Sequence, residues 1–204
     1  MLNSYINQID THIIKRKFFE AKYHIVPADS ILLDYKKLNI EQEDIFINGH
    51  KVDHIYDSSV GKVLVSNFKP ITDKISISVN YENRYIILKS LTARLLIKSV
   101  LKKYFSLDCD NFYTGIEKSS FSINNLFFDE DVKKIITTLE KNINEYIKHD
   151  VKILKSDDNK TTIPGIFYIE ENYITVSSLS EIRYFKIDNY TFNNNGVVIN
   201  YNIN

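Results

Sequence analysis

The chain has 204 residues, and its 26 basic and 26 acidic side chains give a formal net charge of zero. Apolar residues make up 44% of it and charged residues 25%, as in a globular protein, and this length allows a substantial core. Zero net charge is unusual for a dedicated nucleic-acid binder, although a local basic patch can still contact phosphates.

A single cysteine, Cys109, excludes an internal disulfide and a cysteine-rich metal site. The first residues contain no long apolar run, so no signal peptide is expected. No stretch reaches the roughly 18 consecutive apolar residues of a membrane-spanning helix. We therefore expect a protein that does not enter a membrane and works in a reducing, cytoplasmic setting.

Short strands joined by turns are predicted for the first 80 residues. Asn48-Gly49 between two apolar runs is a strong hairpin pattern, which pairs residues 44–47 with 51–56. Residues 75–79 alternate apolar and polar side chains, as a half-buried strand does. Further strands are predicted over residues 17–26, 31–35 and 62–66. Residues 1–80 are therefore predicted to form a small β domain, like a barrel or a curled sheet.

Two long helices are predicted for the rest of the chain. Residues 84–105 carry leucines at helical spacing without Gly or Pro, and lysines fill the other side of this amphipathic pattern. A second helix runs from Asp129, a good N-cap residue, to about His149. A loop is predicted over residues 108–113. Strands are predicted over residues 117–128, 152–154, 165–170, 173–176, 183–187 and 197–201. The predicted class is α+β. Residues 81–204 are predicted to form a domain of two long helices and an antiparallel sheet, and the small β domain is predicted to pack on this second domain.

Several segments resemble the alanyl-tRNA synthetase editing domain and its free-standing AlaX relatives. Residues 90–96, SLTARLL, are similar to the family's HTATHLL, and residues 177–187, SSLSEIRYFKI, to its NTGEIGLFKI. Residues 120–153 resemble its strand that leads into a helix, and residues 196–203, GVVINYNI, resemble its GVRRIEAV. The resemblance covers nearly the whole chain and implies the same order of elements.

In that family two histidines, four residues apart on one helix face, bind a catalytic zinc. Here these positions are Ser90 and Arg94. The family's CGGTH segment aligns with residues 171–175, so that its Cys and His positions become Glu171 and Thr175. Zinc needs imidazole, thiolate or carboxylate donors, and an arginine repels a cation. We therefore expect no zinc and no other cofactor.

The family hydrolyses Ser or Gly wrongly esterified to tRNA for alanine. The resemblance thus implies an aminoacyl-tRNA deacylase scaffold that has lost zinc-dependent hydrolysis and binds tRNA or an aminoacyl group. Ser90, Arg94, Glu171 and Thr175 are expected to converge in a candidate pocket, where an Arg94–Glu171 ion pair replaces the metal. A metal-independent deacylase and a non-catalytic protein-interaction domain are the alternatives.

Basic residues follow one face of the first long helix. Arg94, Lys98 and Lys102 are spaced by four residues, and the resemblance makes Lys98 and Lys102 the candidates for tRNA binding. The alternative interpretation is a solvated helix face, which is what a run of charges usually means.

Two histidines also have the spacing of a zinc motif. His50 and His54 lie in a predicted strand, where about 3.3 Å per residue puts their Cα atoms about 13 Å apart. That distance is too long for both to bind one ion, so we interpret them as ordinary strand residues.

Overall fold

The computed structural model describes residues 5–125, 127–155, 160–166, 169–171 and 174–203. Within these ranges, only the backbone is described for residues 155, 160 and 169–171. The protein combines long helices with antiparallel sheets, which confirms the predicted α+β class. The chain folds into two compact units: Met1–Tyr35 with Gln42–Arg84, and Lys36–Glu41 with Tyr85–Asn204. The domain limits 1–80 and 81–204 remain predictions.

The first unit is built on a curled antiparallel sheet of seven strands, in the order β4-β3-β7-β1-β2-β6-β5. The strands are β1 (Gln8–Phe19), β2 (Lys22–Pro27), β3 (Ile45–Ile47), β4 (His50–Lys51), β5 (His54–Ser58), β6 (Gly61–Ser66) and β7 (Lys74–Val79). One helical turn, α1 (Tyr35–Leu38), lies between β2 and β3 in the chain. Strand β1 pairs with β7 through its first half and with β2 through its second, and its register shifts between Ile13 and Lys15. Such an irregularity bends a strand and curls the sheet.

The predicted Asn48-Gly49 hairpin is confirmed. Asn48 and Gly49 have φ of 48° and 81°, as a tight hairpin turn requires, and Ile47 pairs with His50 across it. The predicted pairing up to residue 56 is wrong, because the chain changes partner after β4. The Val52 N–H donates to Ile45 O and the Asp53 N–H to Val65 O, both at 2.8 Å, and β5 then pairs with β6.

Two other strand predictions in this unit are wrong. Residues 17–26 are not one strand but a hairpin, because Glu20 and Ala21 both adopt left-handed φ, 49° and 59°. Residues 31–34 have no regular structure, and Tyr35 begins α1. Buried apolar side chains nevertheless form a core inside the unit. It consists of Ile25, Ile31, Ile45, Ile47, Val52, Leu64, Ile75, Ile77 and Val79.

Both predicted long helices are confirmed, as α2 (Tyr81–Phe105) and α3 (Asp129–Lys148). The second unit has a four-stranded sheet in the order β13-β14-β9-β8 and a small sheet in the order β10-β11-β12. Its strands are β8 (Asp110–Thr114), β9 (Ser119–Ile123), β10 (Leu154–Lys155), β11 (Lys160–Thr162), β12 (Ile169–Glu171), β13 (Phe185–Asn193) and β14 (Gly196–Ile203). A short 3-10 helix spans Leu179–Ile182.

Local details of the second unit differ from the predictions. Residues 110–113, predicted as part of a loop, belong to β8. Residues 174–176, predicted as strand, have no regular structure. Asp129 is the first helical residue of α3, and Phe128 is the N-cap. The Asp131 carboxylate accepts a hydrogen bond from the Phe128 N–H at 3.1 Å, which satisfies a donor that the helix leaves open.

Helix α2 is buried more completely than an amphipathic pattern implies. Every residue from 87 to 97 is buried, polar ones included, so the prediction of a solvent-facing polar side is wrong for this stretch. One buried hydroxyl of this stretch bonds within the helix: the Thr92 hydroxyl donates to Leu88 O at 2.8 Å. In the described part of the chain, no helix is both long enough and apolar enough to cross a membrane.

Candidate functional site

Arg94 is the central residue of the predicted pocket, and its side chain is buried. Its guanidinium donates from Nε to Thr114 Oγ1 at 2.9 Å, from Nη1 to Leu38 O at 2.6 Å and from Nη2 to Asn39 O at 3.0 Å. The guanidinium carbon also lies 5.5 Å from the centre of the Phe112 ring. Among the described residues, neutral oxygens and an aromatic face thus surround the charge of this buried side chain.

The carbonyl groups reach Arg94 because Lys36–Glu41 runs beside β8. The Glu41 N–H donates to Thr114 O at 2.7 Å, and the Thr114 N–H donates to Asn39 O at 3.1 Å. Asn39 has a left-handed φ of 48°, which turns the chain, and its side chain donates to Phe112 O at 2.8 Å. The sequence offered no strand pattern for this segment, so its contact with Arg94 could not be predicted.

Ser90 faces a tightly packed group of hydroxyls. Its Oγ lies 3.3 Å from Ser119 Oγ, and a cavity of about 10 Å³ beside them is lined also by Gly115 and Tyr201. Tyr201 is fully buried, and its hydroxyl makes no hydrogen bond with good geometry to the described residues. Burial raises the pKa of Tyr201, and the Arg94 charge acts in the opposite direction. The cavity holds about one water, far less than an aminoacyl group needs.

Thr175 is buried beside a different face of α2. The N–H of the next residue, Val176, donates to Thr92 Oγ1 at 3.1 Å. Thr92 lies two residues from Ser90 and from Arg94, about 200° around the helix. The side chain of Glu171 lies outside the described residues, so the Arg94–Glu171 pair and the convergence of all four residues stay predictions.

The basic stripe on α2 is not uniformly exposed. Lys98 is half-buried, with its Nζ 5.6 Å from the centre of the Phe112 ring. Lys102 is exposed and pairs with Asp108 at 3.0 Å. Of the three cations, Lys102 is therefore the exposed one, and its charge is paired with Asp108 at the surface. The tRNA-binding role of Lys98 and Lys102 stays a prediction.

A second polar group, which the motifs did not reveal, surrounds Lys89. Its Nζ lies 4.7 Å from the centre of the Tyr85 ring, and the Tyr85 hydroxyl donates to Glu181 Oε2 at 2.9 Å. Burial, followed by the Arg183 charge, lowers the pKa of Lys89, while the Glu181 charge raises it. The spacing of Tyr85 and Lys89, one helical turn apart, is the only sequence pattern that indicates this contact.

Arg183 itself has an unusual backbone. Its φ of 62° and ψ of −59° lie where side-chain-bearing residues are rare, and the Tyr184 N–H donates to Ile182 O at 2.7 Å around it. This geometry is that of a strained three-residue turn. Strain of this kind persists only where the surrounding structure fixes it.

Side chains that could bind a metal do not cluster in the described part of the chain. No three His, Cys, Asp or Glu side chains gather there in a way that could hold an ion. Ser90 and Arg94 are not zinc ligands either. The Ser90 hydroxyl lies beside the Ser119 hydroxyl, and Arg94 is a cation that already donates hydrogen bonds. His50 stacks on Phe68 with ring centres 4.7 Å apart, as an ordinary strand residue does. The zinc content of the protein stays a prediction.

Cys109 is not an activated nucleophile. The thiol is buried, and burial raises its pKa to about 12, although the Lys98 charge acts in the opposite direction. Almost no thiolate is present at neutral pH, and the thiolate is the reactive form.

Comparisons with known proteins add no relative. No family model matches the chain, and a search of curated proteins finds no significant match. The resemblance to the editing domain rests on the quoted motifs.

Proposed function

We propose that the chain is a non-catalytic relative of the alanyl-tRNA editing domain, which binds tRNA without hydrolysing the aminoacyl ester. Arg94 is the observation behind this proposal. At the position of a zinc-binding histidine in the family, it holds a buried positive charge by three hydrogen bonds to neutral oxygens. A guanidinium cannot lower the pKa of a bound water as zinc does, so the site keeps a charge without making a nucleophile.

The backbone at Arg183 supports the resemblance. When SSLSEIRYFKI is aligned with the family's NTGEIGLFKI, Arg183 stands at a glycine position. Its φ of 62° is in the left-handed region, which glycine adopts at no steric cost. A relative that inherited the turn and later replaced the glycine would have this strained residue.

The packing around Ser90 argues against the metal-independent deacylase. The neighbouring cavity of about 10 Å³ cannot admit an ester substrate. The Ser119 and Tyr201 hydroxyls line it beside Ser90, and burial raises the pKa of Tyr201. Neutral hydroxyls do not take a proton from water at neutral pH. The exposed Glu117 side chain also lines the cavity, so it is the size of the cavity that argues against hydrolysis. A cytoplasmic location is part of the proposal, because a reducing compartment suits the single buried thiol.

Binding and hydrolysis, measured separately, test the proposal. We expect labelled tRNA for alanine to bind in a gel-shift assay, and its serine ester to decay at the uncatalysed rate with or without added zinc. Deacylation above this rate that survives a chelator and is lost in Arg94→Lys would establish the metal-free enzyme. An absence of tRNA binding would instead favour the protein-interaction alternative.

A matched pair of variants locates the tRNA contact. Lys102 on α2 and Lys141 on α3 are both exposed. If the stripe on α2 binds tRNA, Lys102→Gln weakens binding and makes it less dependent on salt, whereas Lys141→Gln changes neither. Equal effects of the two variants would mean that the attraction is non-specific.

A further inference from the structure

The sheet of the first unit carries a concave pocket that the proposed function does not use. Strands β1, β2, β5 and β6 form it, and its volume is about 440 Å³. Small-molecule sites usually fall in the range of about 300 to 1,000 Å³. The pocket is therefore large enough for a ligand the size of a nucleotide.

Strand register places the lining side chains on one face of the sheet. Lys15, Lys17 and Phe19 alternate along β1, so they point to the same side. Lys17 is paired with His24 on β2. Tyr56 lies on β5, two strands further along the sheet. The pocket thus has basic and aromatic residues on β1 and β2, and an aromatic residue on β5.

Three rings follow one another along the pocket. The ring centres of Phe19 and His24 are 5.9 Å apart, and those of His24 and Tyr56 are 6.0 Å apart. The His24 Nδ1 and the Tyr56 hydroxyl are 3.1 Å apart, which fixes the two rings relative to each other. Phe19 and Tyr56 are nevertheless 48% and 43% exposed. The Lys17 Nζ lies over one face of Phe19, 4.9 Å from the ring centre. The exposed parts of Phe19 and Tyr56 offer flat surfaces on which a base can stack.

The charge of the pocket is positive and not compensated. Among the described residues, Lys15 and Lys17 have no carboxylate partner, and no acidic side chain lines the pocket. Two other lysines of the same sheet are paired: Lys22 with Asp53 and Lys62 with Asp57, both at 3.0 Å. Two ammonium groups without a carboxylate partner in the described part of the chain, one of them in contact with the Phe19 ring, favour an anionic, aromatic ligand.

We propose that this pocket binds a nucleotide, as part of single-stranded RNA, with the base stacked on Phe19 or Tyr56 and the phosphates near Lys15 and Lys17. An acidic peptide would match the charge but would leave the flat rings without a stacking partner. The site lies in the first unit and uses none of the editing-domain motifs. It therefore goes beyond the proposed function and does not depend on it.

Fluorescence anisotropy with a labelled oligouridine of about eight nucleotides, a length that a single-strand groove spans, tests the site. We expect Phe19→Leu and Tyr56→Leu to weaken binding by about tenfold each, since each removes one stacking face. Tyr56→Phe keeps the ring and should bind like the wild type. Lys15→Gln and Lys17→Gln should each lower the slope of log K against log salt by about 0.7.

Two variants on the opposite face of the sheet are the controls. Phe18 is 61% exposed and neighbours Phe19 in the chain, and Lys62 neighbours the pocket residue Val63. Phe18→Leu and Lys62→Gln should bind like the wild type, and circular dichroism checks that every variant is folded. Unchanged affinity in all pocket variants, or equal losses in the controls, would overturn the site.

Two further arms identify the ligand. Competition by uridine monophosphate that depends on the same residues would identify a free nucleotide as the ligand, whereas competition only by the oligonucleotide identifies RNA. Preference for an acidic peptide or a duplex would overturn the proposal. Binding of tRNA without binding of the single strand would overturn this inference alone, and the reverse result would overturn the proposed function alone.

Discussion

Arg84 and Glu43, both in the first unit, form an ion pair in which only 2% and 0% of the side chains are exposed. Arg84 Nε donates to the two carboxylate oxygens at 3.0 and 2.7 Å, and its Nη2 also donates to Oε1. The same Nη2 donates to Ile31 O at 3.0 Å, and the Tyr35 hydroxyl donates to Glu43 at 2.7 Å. The pair therefore holds the start of α2 to the irregular segment 31–34, to Tyr35 at the start of α1 and to the residues before β3.

Removing one partner of this pair should destabilise the protein strongly. Glu43→Ala or Arg84→Leu leaves a buried charge without its partner, and we expect each to lower the free energy of unfolding by about 3–5 kcal/mol. The double variant should lose less than the sum, because it buries no charge. Urea unfolding of the three variants measures this, and single variants within about 1 kcal/mol of the wild type would contradict it.

The fold was predictable where side-chain periodicity is strong, as in α3 and β7. It was not predictable where a turn lacks its usual residues. Glu20 and Ala21 adopt left-handed φ without Gly or Asn, and the β1–β2 hairpin was therefore missed. Strand β8 was missed because Asp110 and Asn111 at its start are typical loop residues.

The site was harder to predict, because its contacts are made at long range in the sequence. Arg94 was singled out by its motif position, but its partners Leu38 and Asn39 contribute backbone carbonyls, which no side-chain pattern encodes. The pocket on the first sheet depends on the pairing of β1 with β2, and the hairpin that creates this pairing was itself missed. Lys17, Phe19 and His24 were therefore assigned to one predicted strand, 17–26, in which His24 would face the side opposite to Lys17 and Phe19.

Two tyrosine hydroxyls, that of the fully buried Tyr201 and that of the half-buried Tyr35, should respond differently to removal. Tyr201→Phe deletes a hydroxyl without a well-aligned partner among the described residues, so we expect unchanged stability or a gain of up to about 1 kcal/mol. Tyr35→Phe deletes a donor to the buried Glu43 carboxylate and should cost about 1–3 kcal/mol. Thermal unfolding of both variants makes the comparison, and a larger loss for Tyr201→Phe would show that its hydroxyl is bonded.

Stability should fall at alkaline pH. Burial raises the pKa of Cys109 to about 12 and also raises the pKa of Tyr35 and of Tyr201, above ordinary values of about 8.5 to 10 in the unfolded chain. The native state therefore binds more protons than the unfolded state above about pH 8.5, and its stability is lost as the pH rises toward 12. Urea midpoints at pH 7.5 and 10.5 measure the fall, which Cys109→Ala should reduce. A midpoint that stays constant or rises would refute the prediction.

The turn at Arg183 offers a test of both the strain and the resemblance. Arg183→Gly removes the steric cost of a left-handed φ of 62°, about 1–2 kcal/mol, but adds flexibility to the unfolded chain. Arg183→Ala removes the same charge and keeps the strain. We therefore expect the glycine variant to be about 1 kcal/mol more stable than the alanine variant in urea unfolding. Both should raise the pKa of Lys89, followed by NMR of its side chain, because the Arg183 charge that lowers it is gone. Equal stability of the two variants would mean that Arg183 does not adopt a glycine-type backbone, and would remove this support for descent from the editing domain.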